Sequence, residues 1–367
     1  MGLGTLYQGR GDLRAAAASL EEGSRLARRL DDRRLILHSL HGLARIVGQT
    51  GDYARAESIY SECEPLLRAN EDPQAQIAFW NGRGTLAWHL GDQRRAQECF
   101  EKGLDVARRV ANLNVIAVLN ANLGAMDLQL GDLARAEARM QEALALQRSI
   151  GNRFGEAQAL CNLGAIAFAR MDDAASEECY TKSLELCRKM GTEDGAANVI
   201  YGLAELEVAR GNGEAAIPHL EKSVAHFEAQ GDRLNVAGAL GMLARAEVRR
   251  GNPEAASRHL RRSFELHFEL TADPGIQGEV TALAELAVAD GSFALAARLV
   301  GALTQRGHVS GVPLSPRSEA QHQTILDSCR RALGEESTAR AMAEGEAIDW
   351  METIEWARRW LGSVHAV

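Results

Sequence analysis

The sequence predicts an all-α protein, a solenoid of about eight helical hairpins followed by a C-terminal helical cap. Three observations predict it: a turn signature that recurs every 40 residues, small and large apolar residues that recur with it, and a composition suited to closely packed helices. Hydrophobic residues make up 46% of the 367 residues, aromatic residues only 5%, and the chain has 7 prolines. Leucine, alanine, valine and isoleucine must therefore fill a core of closely stacked helices.

A glycine followed by a polar residue marks one turn of nearly every unit. The pairs are Gly11-Asp12, Gly51-Asp52, Gly91-Asp92, Gly131-Asp132, Gly211-Asn212, Gly251-Asn252 and Gly291-Ser292. Met171-Asp172 stands at the one place in this series that lacks the glycine. Glycine ends a helix in the left-handed conformation, and the Asp or Asn side chain after it caps the next helix. The signature therefore predicts two helices joined by a tight turn.

A second signature lies on the two helices beside this turn. After the turn, a small residue recurs at Ala16, Ala56, Ala96, Ala136, Ser176, Ala216, Ala256 and Ala296. Four residues later a large apolar residue recurs at Leu20, Tyr60, Phe100, Met140, Tyr180, Leu220, Leu260 and Val300. Before the turn, Leu precedes a small residue at Leu3-Gly4, Leu43-Ala44, Leu123-Gly124, Leu163-Gly164, Leu203-Ala204, Leu243-Ala244 and Leu283-Ala284, and only Arg83-Gly84 departs. Because small residues let backbones approach, each unit is predicted to be a packed hairpin.

These registers place the repeat region at 1–300. In the second unit, the first helix of the hairpin, helix A, is predicted at 33–50, and the second, helix B, at 53–69. Only three residues precede Gly4 in the first unit, which is therefore truncated. We expect the chain to be a fragment of a larger protein, and the alternative is a first hairpin that is naturally short and leaves an apolar edge.

Beyond the repeats, glycines and prolines predict a loop over 301–316. Two helices are then predicted at 317–334 and 335–362, within a C-terminal segment of residues 317–367. Their apolar faces suit a cap on the end of the solenoid, and the alternative is a docking element.

Charge and composition argue against several functions. The net charge is −9 and no basic cluster is present, so no direct contact with nucleic acid is expected. The 6 cysteines lie in predicted helices without paired spacing, which is typical of reduced thiols in a cytoplasmic protein. No apolar run approaches the roughly 20 residues that span a bilayer, so no membrane partner is expected.

The sequence offers no catalytic or cofactor-binding motif. It has no Gly-x-x-x-x-Gly-Lys-Ser/Thr phosphate loop and no strand-to-helix nucleophile turn, so neither an enzyme nor a cofactor is expected. His219 and His259 recur in register, and His38 and His41 are three apart, but neither pair has further ligands at the spacing of a zinc site. No metal is therefore expected.

The repeat signatures resemble the tetratricopeptide repeat family over about 300 residues. The match is closest from Asn162-Leu163-Gly164 through Met171-Asp172 to Tyr180. The resemblance implies a right-handed α-solenoid of tetratricopeptide hairpins. The period of 40 residues is similar to the extended repeats of bacterial signalling regulators and eukaryotic cell-polarity adaptors.

The chain after the repeats is similar to the tail of large bacterial regulators that carry a nucleotide-switch ATPase of the STAND type. The similar stretches are 297–301, 311–314, 332–336 and 343–345. This second resemblance implies the sensor portion of such a regulator, without its ATPase.

In the tetratricopeptide family the inner surface of helix A takes the ligand, and this implies a candidate site. Asn122 and Asn162 resemble the family asparagines that hydrogen-bond a bound peptide, and the alternative is a hydrogen bond to the neighbouring helix. Further candidates on this side are His89, Gln129, Asn198 and Tyr201, whereas Trp80 is expected in the core.

A strip of alternating charge follows the same face. Its members are Arg45, Thr85, Ala125, Ala165, Glu205, Arg245 and Glu285. The strip suits a partner of matching charge, or equally a neutralisation between adjacent repeats. Arg45 and Arg245 are the best candidates to meet an acidic group, because a guanidinium grips a carboxylate with two bonds.

The hypothesis that results is a module that binds a peptide or partner protein in the concave groove of the repeats, within a bacterial signalling or transcriptional regulator. The alternative is a domain that senses a small molecule or signal peptide and controls an upstream ATPase. The expected partner is a protein or peptide ligand, and the open first repeat leaves room for a homo-oligomer.

Overall fold

The computed structural model describes residues 13–68, 72–270, 276–310 and 312–363. Nearly all of these residues are helical, and no strand occurs among them. The helices are α1 (Leu13–Arg29), α2 (Arg33–Gln49), α3 (Tyr53–Arg68), α4 (Pro73–His89), α5 (Gln93–Arg109), α6 (Leu113–Gln129), α7 (Leu133–Ser149), α8 (Arg153–Ala169), α9 (Asp173–Met190), α10 (Glu193–Ala209), α11 (Gly213–Gln230), α12 (Arg233–Arg250), α13 (Pro253–Leu270), α14 (Gln277–Ala289), α15 (Phe293–Ser310), α16 (Pro316–Leu333), α17 (Glu335–Glu346) and α18 (Trp350–Ser363). The predicted all-α solenoid class is confirmed.

The repeats follow the predicted register. The even-numbered helices from α2 to α14 are helices A, and the odd-numbered helices from α1 to α15 are helices B. In the second unit helix A ends at Gln49, one residue before its predicted end, and the described part of helix B is Tyr53–Arg68. The pairs Leu3-Gly4 and Gly11-Asp12 lie outside the described residues, as does Gly311.

The turns confirm the predicted chemistry. Gly51 has a φ of +85° and Gly211 a φ of +88°, both in the left-handed region. Met171 keeps this conformation with a φ of +66°, although its side chain disfavours it. The side chain of Asp52 then accepts a hydrogen bond from the Arg55 amide at 3.1 Å, which caps the next helix.

The small residues of helix A and the large apolar residues of helix B meet inside the hairpins. The eight small residues of helix B are fully buried, from Ala16 to Ala296. A Cβ atom added to Gly84 would lie 2.7 Å from the Phe100 ring, and one added to Gly164 would lie 2.8 Å from the Tyr180 ring. The small position of helix A therefore makes room for the large residue of helix B.

The described residues belong to two compact units, each with its own core. Unit 1 comprises residues up to 126 together with 141–151, and unit 2 comprises residues 127–140 together with those from 152 onward. The largest fully buried side chains of unit 1 include Tyr60, Phe79 and Phe100, and those of unit 2 include Leu220 and Phe264.

The predicted loop over 301–316 is wrong in its first part. Helix α15 continues to Ser310, and the described connection to α16 is Val312–Ser315. The sequence pattern treats Gly301 as a helix breaker, but this glycine allows a close approach instead. A Cβ atom at Gly301 would lie 2.2 Å from the Met342 carbonyl oxygen of α17.

The single helix predicted over 335–362 is also wrong, because two helices occupy this range. Helix α17 ends at Glu346, and the Asp349 side chain accepts a hydrogen bond from the Met351 amide at 2.9 Å, where α18 begins. This break lets α18 bury Ile354 and Leu361 in the core of unit 2.

The C-terminal helices have two different positions within unit 2. Helix α17 packs on α15, and α18 packs on α13, where Arg261 donates a hydrogen bond to the Leu361 carbonyl oxygen at 2.8 Å. The role of these two helices as a cap stays a prediction. Helix α16 instead packs against α15, which is a helix B, and against α8 and α14, which are helices A.

Candidate functional site

The candidate site lies where helices A of unit 2 face the chain that follows the repeats. Four helices A, α8, α10, α12 and α14, turn one face toward Val312–Ser315 and the start of α16. We call these faces the inner wall of unit 2. We call Val312–Ser315 together with the start of α16 the covering segment. Between it and the wall lies a cavity of about 460 Å³, which we call the chamber. Tyr201, Glu205, Arg245 and Glu279 line it.

The connection Val312–Ser315 is not helical and lies against the repeats. A Cβ atom added to Gly131 would lie 2.8 Å from Pro313 Cγ and 2.9 Å from the Pro313 carbonyl oxygen. The Ser315 hydroxyl accepts a hydrogen bond from the Ser318 amide at 3.2 Å and so caps α16. The glycine of one turn signature therefore gives space to a segment far away in sequence.

Arg317 attaches the start of α16 to the inner wall of unit 2. Its Nε donates a hydrogen bond to the Phe168 carbonyl oxygen at 2.6 Å, and its guanidinium forms an ion pair with Asp173. The guanidinium carbon lies 4.0 Å from the centre of the Phe168 ring. Only 8% of Arg317 is exposed, so charge, hydrogen bonding and stacking act together on a desolvated side chain.

One turn further along α16, His322 contacts α14. Its Nε2 lies 3.4 Å from the Thr281 hydroxyl, and that hydroxyl donates a hydrogen bond to the Gln277 carbonyl oxygen at 3.0 Å. The pKa of His322 is lowered from 6.5 to about 4, and burial is the main cause. The negative charge of Glu285 acts to raise this pKa, whereas the positive charge of Arg245 lowers it further. His322 is therefore neutral near pH 7.

Arg245 is neutralised by the next repeat. Its Nε and Nη2 lie 3.2 and 3.3 Å from the two carboxylate oxygens of Glu285, and Arg249 lies 3.1 Å from the same carboxylate. Arg245 and Glu285 are both buried. This pair is the neutralisation between adjacent repeats that the sequence left open as an alternative for the strip.

Glu205 belongs to the same strip but has a different environment. No arginine, lysine or histidine of the described residues lies within ion-pair distance of its carboxylate. Burial raises the pKa of Glu205, and the positive charges of Arg245 and Arg317 act in the opposite direction. Burial likewise raises the pKa of Tyr201, the negative charges of Glu205 and Glu279 raise it further, and the positive charge of Arg245 acts in the opposite direction.

In unit 1, Asn122 forms a hydrogen bond to a neighbouring helix, which is the alternative stated above for this residue. Its amide nitrogen donates a hydrogen bond to the side-chain oxygen of Asn81 at 3.0 Å. The two asparagines stand on α6 and α4, which are the helices A of successive repeats.

Comparison with known proteins decides the family. Two tetratricopeptide repeat models match the chain, one at residues 1–69, 114–189 and 195–267 and the other at residues 77–109. The first model alone matches more than half of the chain. This chain belongs to the tetratricopeptide repeat family. A comparison with curated protein sequences finds no match.

Solved structures of Rap proteins are similar to this tetratricopeptide repeat protein. The apo form of RapI has a TM-score of 0.58 at 13% identity, over 74% of this chain and 97% of that chain. A Rap protein complexed with competence and sporulation factor has a TM-score of 0.55 at 12% identity, over 89% and 98%. The Rap conjugation gene regulator of the plasmid pLS20, in complex with the Phr* peptide, has 0.53 at 12%, over 81% and 98%. At these identities the likeness concerns the fold alone.

The remaining candidates of the tetratricopeptide surface differ in exposure. Arg45, His89, Gln129 and Asn198 are exposed, and Asn162 is half-buried. The His89 ring stacks on the Tyr53 ring, with centroids 5.9 Å apart. A binding role for these residues stays a prediction.

Trp80 is only partly in the core. Its ring meets the Phe79 ring edge to face, with centroids 5.0 Å apart, and Lys102 Nζ lies 4.8 Å from its centre. One side of the indole therefore packs in the core of unit 1 while a cation covers another part of the ring.

Sequence reasoning missed Arg317, His322 and Glu279. Glu279 had a detectable signal, because a carboxylate stands there in a register that is apolar in five of the six preceding units. The equivalent residues are Ser39, Phe79, Leu119, Ala159, Val199 and Ala239. Arg317 and His322 lie outside the repeats, so no register predicted that they meet helices A.

Neither a metal-binding cluster nor a membrane-spanning helix occurs in the described part of the chain. It contains no group of three or more His, Cys, Asp or Glu side chains that could hold a metal ion. None of its helices combines the length and the apolar character that crossing a bilayer requires.

Proposed function

We propose that this tetratricopeptide repeat protein binds a peptide or partner protein on helices A, and that the inner wall of unit 2 receives an extended chain. One observation carries the proposal. The wall already holds a non-helical segment of its own chain, Val312–Ser315, followed by the anchored Arg317. A surface that buries Arg317 directly after this segment has the chemistry to hold a similar extended segment of another protein.

The similar Rap structures support the same proposal. Two of them were solved with a bound molecule, one with the Phr* peptide and one with competence and sporulation factor. One is described as a gene regulator. We also propose that the present chain acts within a bacterial signalling or transcriptional regulator. There, the repeats of unit 2 would differ in rigidity between the state with a peptide on the inner wall and the state without one.

The test uses a peptide of known sequence. A fluorescent peptide with the sequence of residues 310–323 is titrated into the full chain and into the Arg317→Ala variant. In the unaltered chain the tethered segment has an effective concentration of about millimolar, so micromolar peptide should not displace it. In the variant the segment should release the wall, and the peptide should bind with a saturable rise in anisotropy.

Two controls make this test specific. Arg330→Ala changes an arginine of the same helix that pairs with Asp327 and Glu335, and this variant should behave like the unaltered chain. A peptide with alanine in place of its arginine should bind the Arg317→Ala variant more weakly than the original peptide does. Release of the covering segment, seen by hydrogen exchange, without any peptide binding would refute the proposal.

A further inference from the structure

Helix α16 connects two hairpins that are not neighbours in the stack. At its start, Arg317 binds Phe168 and Asp173, which lie on either side of the turn between α8 and α9 in the fifth hairpin. Further along, His322 contacts Thr281 on α14 of the eighth hairpin. The helix therefore links the fifth and eighth hairpins of unit 2 directly, without passing through the two hairpins between them.

The two halves of α16 are held by different kinds of contact. In the first half, the buried side chains are those of Arg317 and His322. Val312 and Leu314, which precede the helix, are only half-buried. The second half buries three apolar side chains in the core that contains the eighth hairpin, namely Ile325, Leu326 and Cys329. Because polar contacts alone fix the first half, local opening of α16 is expected to begin at the Arg317 end.

Open space borders the same helix. The chamber lies against its first turns, and a second cavity of about 600 Å³ lies between α16 and the inner wall. Ala320, Thr324 and Ser328 of α16 line this second cavity, together with Val248 of α12 and Val288 of α14. A permanently packed core has the density of an organic crystal. A helix bordered by two cavities has fewer packing contacts to lose, so detaching its first half sacrifices little apolar burial.

We propose that α16 acts as a strap that holds unit 2 in a closed form. It is fastened to the fifth hairpin by Arg317, and release of Arg317 lets the fifth and eighth hairpins move apart. In a solenoid each hairpin contacts only its neighbours, so small rotations at successive interfaces add up along the stack. A link that spans two intervening hairpins removes this freedom for as long as it stays fastened.

The strap would control two properties at once. In the closed form it covers the inner wall and fixes the spacing of the hairpins, whereas in the open form the wall is accessible and the spacing increases. This inference goes beyond the proposed peptide binding, because the two forms differ without any ligand. Either proposal can therefore fail without the other.

The experiment measures the distance between the two hairpins in the full chain by double electron–electron resonance. Nitroxides are attached through genetically encoded keto amino acids that replace Ala174 on α9 and Ala294 on α15, which are both exposed. This labelling leaves the 6 cysteines untouched. We expect one narrow distance distribution in the chain that keeps Arg317. In Arg317→Ala the distribution should become broader, and its mean should increase by several ångströms.

Hydrogen exchange with mass spectrometry reports on the strap itself. In Arg317→Ala, amides within 312–324 should exchange at least about tenfold faster, because the charge-assisted contacts of a buried guanidinium are lost. Amides within 325–333 should change by less than about threefold, since their apolar contacts remain. The difference between the two halves distinguishes release of the strap from unfolding of the whole helix.

Two further variants complete the test. Asp173→Asn removes the partner charge and should act in the same direction as Arg317→Ala, and it decides the matter if Arg317→Ala loses helicity. Arg330→Ala changes an arginine of α16 that pairs with Asp327 and Glu335 instead of the repeats, so both measurements should stay unchanged. An unaltered distance distribution despite a released first half would overturn the proposal. Unaltered exchange in both Arg317→Ala and Asp173→Asn, or equal opening in Arg330→Ala, would overturn it as well.

Discussion

Gly345→Ala should open the contact between the C-terminal cap and the last hairpin. Gly345 lies in α17 at the point where this helix crosses α15. A Cβ atom at this position would lie 1.9 Å from the Arg298 carbonyl oxygen and 2.7 Å from its carbonyl carbon. Both are backbone atoms, so no rotamer change can relieve the clash.

The size of the effect follows from this distance. Contacts of a Cβ atom below 3.0 Å essentially never occur, so the two helices must separate by at least about 1.1 Å. Inserting a methyl group into a packed contact destabilises by about 1–3 kcal/mol, and a clash with two backbone atoms falls in the upper part of this range, at about 2–3 kcal/mol. Alanine is better than glycine in a helix by about 1 kcal/mol, so we expect a net loss of roughly 1–2 kcal/mol.

Hydrogen exchange with mass spectrometry can measure this loss locally. Amides of α17 and α18 should exchange about 5- to 30-fold faster, which corresponds to 1–2 kcal/mol of opening free energy. Gly238→Ala is the matched control, because it places the same methyl group inside α12 with only one atom at 3.9 Å. Protection of α17 and α18 that stays unchanged in Gly345→Ala, or falls equally in Gly238→Ala, would refute the reasoning.

Three other changes test the turns, the hydrogen bonds and the covering segment. Met171→Gly should raise the unfolding free energy by about 1 kcal/mol in urea titrations, because glycine adopts a φ of +66° without strain; a lower midpoint would contradict this. Ser183→Ala should lower it by about 1 kcal/mol, since the buried hydroxyl donates to the Ala157 carbonyl oxygen at 2.7 Å, whereas the exposed Ser61, whose hydroxyl donates to the Glu57 carbonyl oxygen, should tolerate alanine within about 0.5 kcal/mol. The lowered pKa of His322, about 4 against 6.5, means that the unfolded chain binds the extra proton between these values. Stability should therefore fall by about 2 kcal/mol from pH 7 to pH 5 through this residue, and His322→Gln should remove that part of the urea-measured dependence.

The strip of alternating charge shows why one pattern can support two interpretations. From the sequence, Arg245 could meet an acidic partner or the next repeat with equal reason. In the structure it is buried against Glu285, 40 residues later, while Glu205 on the preceding helix A has no cation within ion-pair distance among the described residues. A strip read only by residue type does not distinguish these environments, because burial and pairing depend on neighbouring helices.

The sequence by itself determined the repeat, its period and the chemistry of its turns. This was possible because each hairpin is specified by contacts between residues close in the chain: a left-handed glycine, the cap after it, and a small residue beside a large one. Repetition then makes a weak local signal strong. Even the exception was informative, since Met171 holds the conformation that its register requires.

Only the tertiary structure decided how the chain after the repeats meets helices A. Arg317 binds Phe168 and Asp173 across more than 140 residues, and neither partner carries a local signal for this contact. The glycines at 301 and 345 were equally ambiguous, because glycine either breaks a helix or lets two backbones approach. The choice between these outcomes depends on what packs against the glycine, and that is a property of the folded chain.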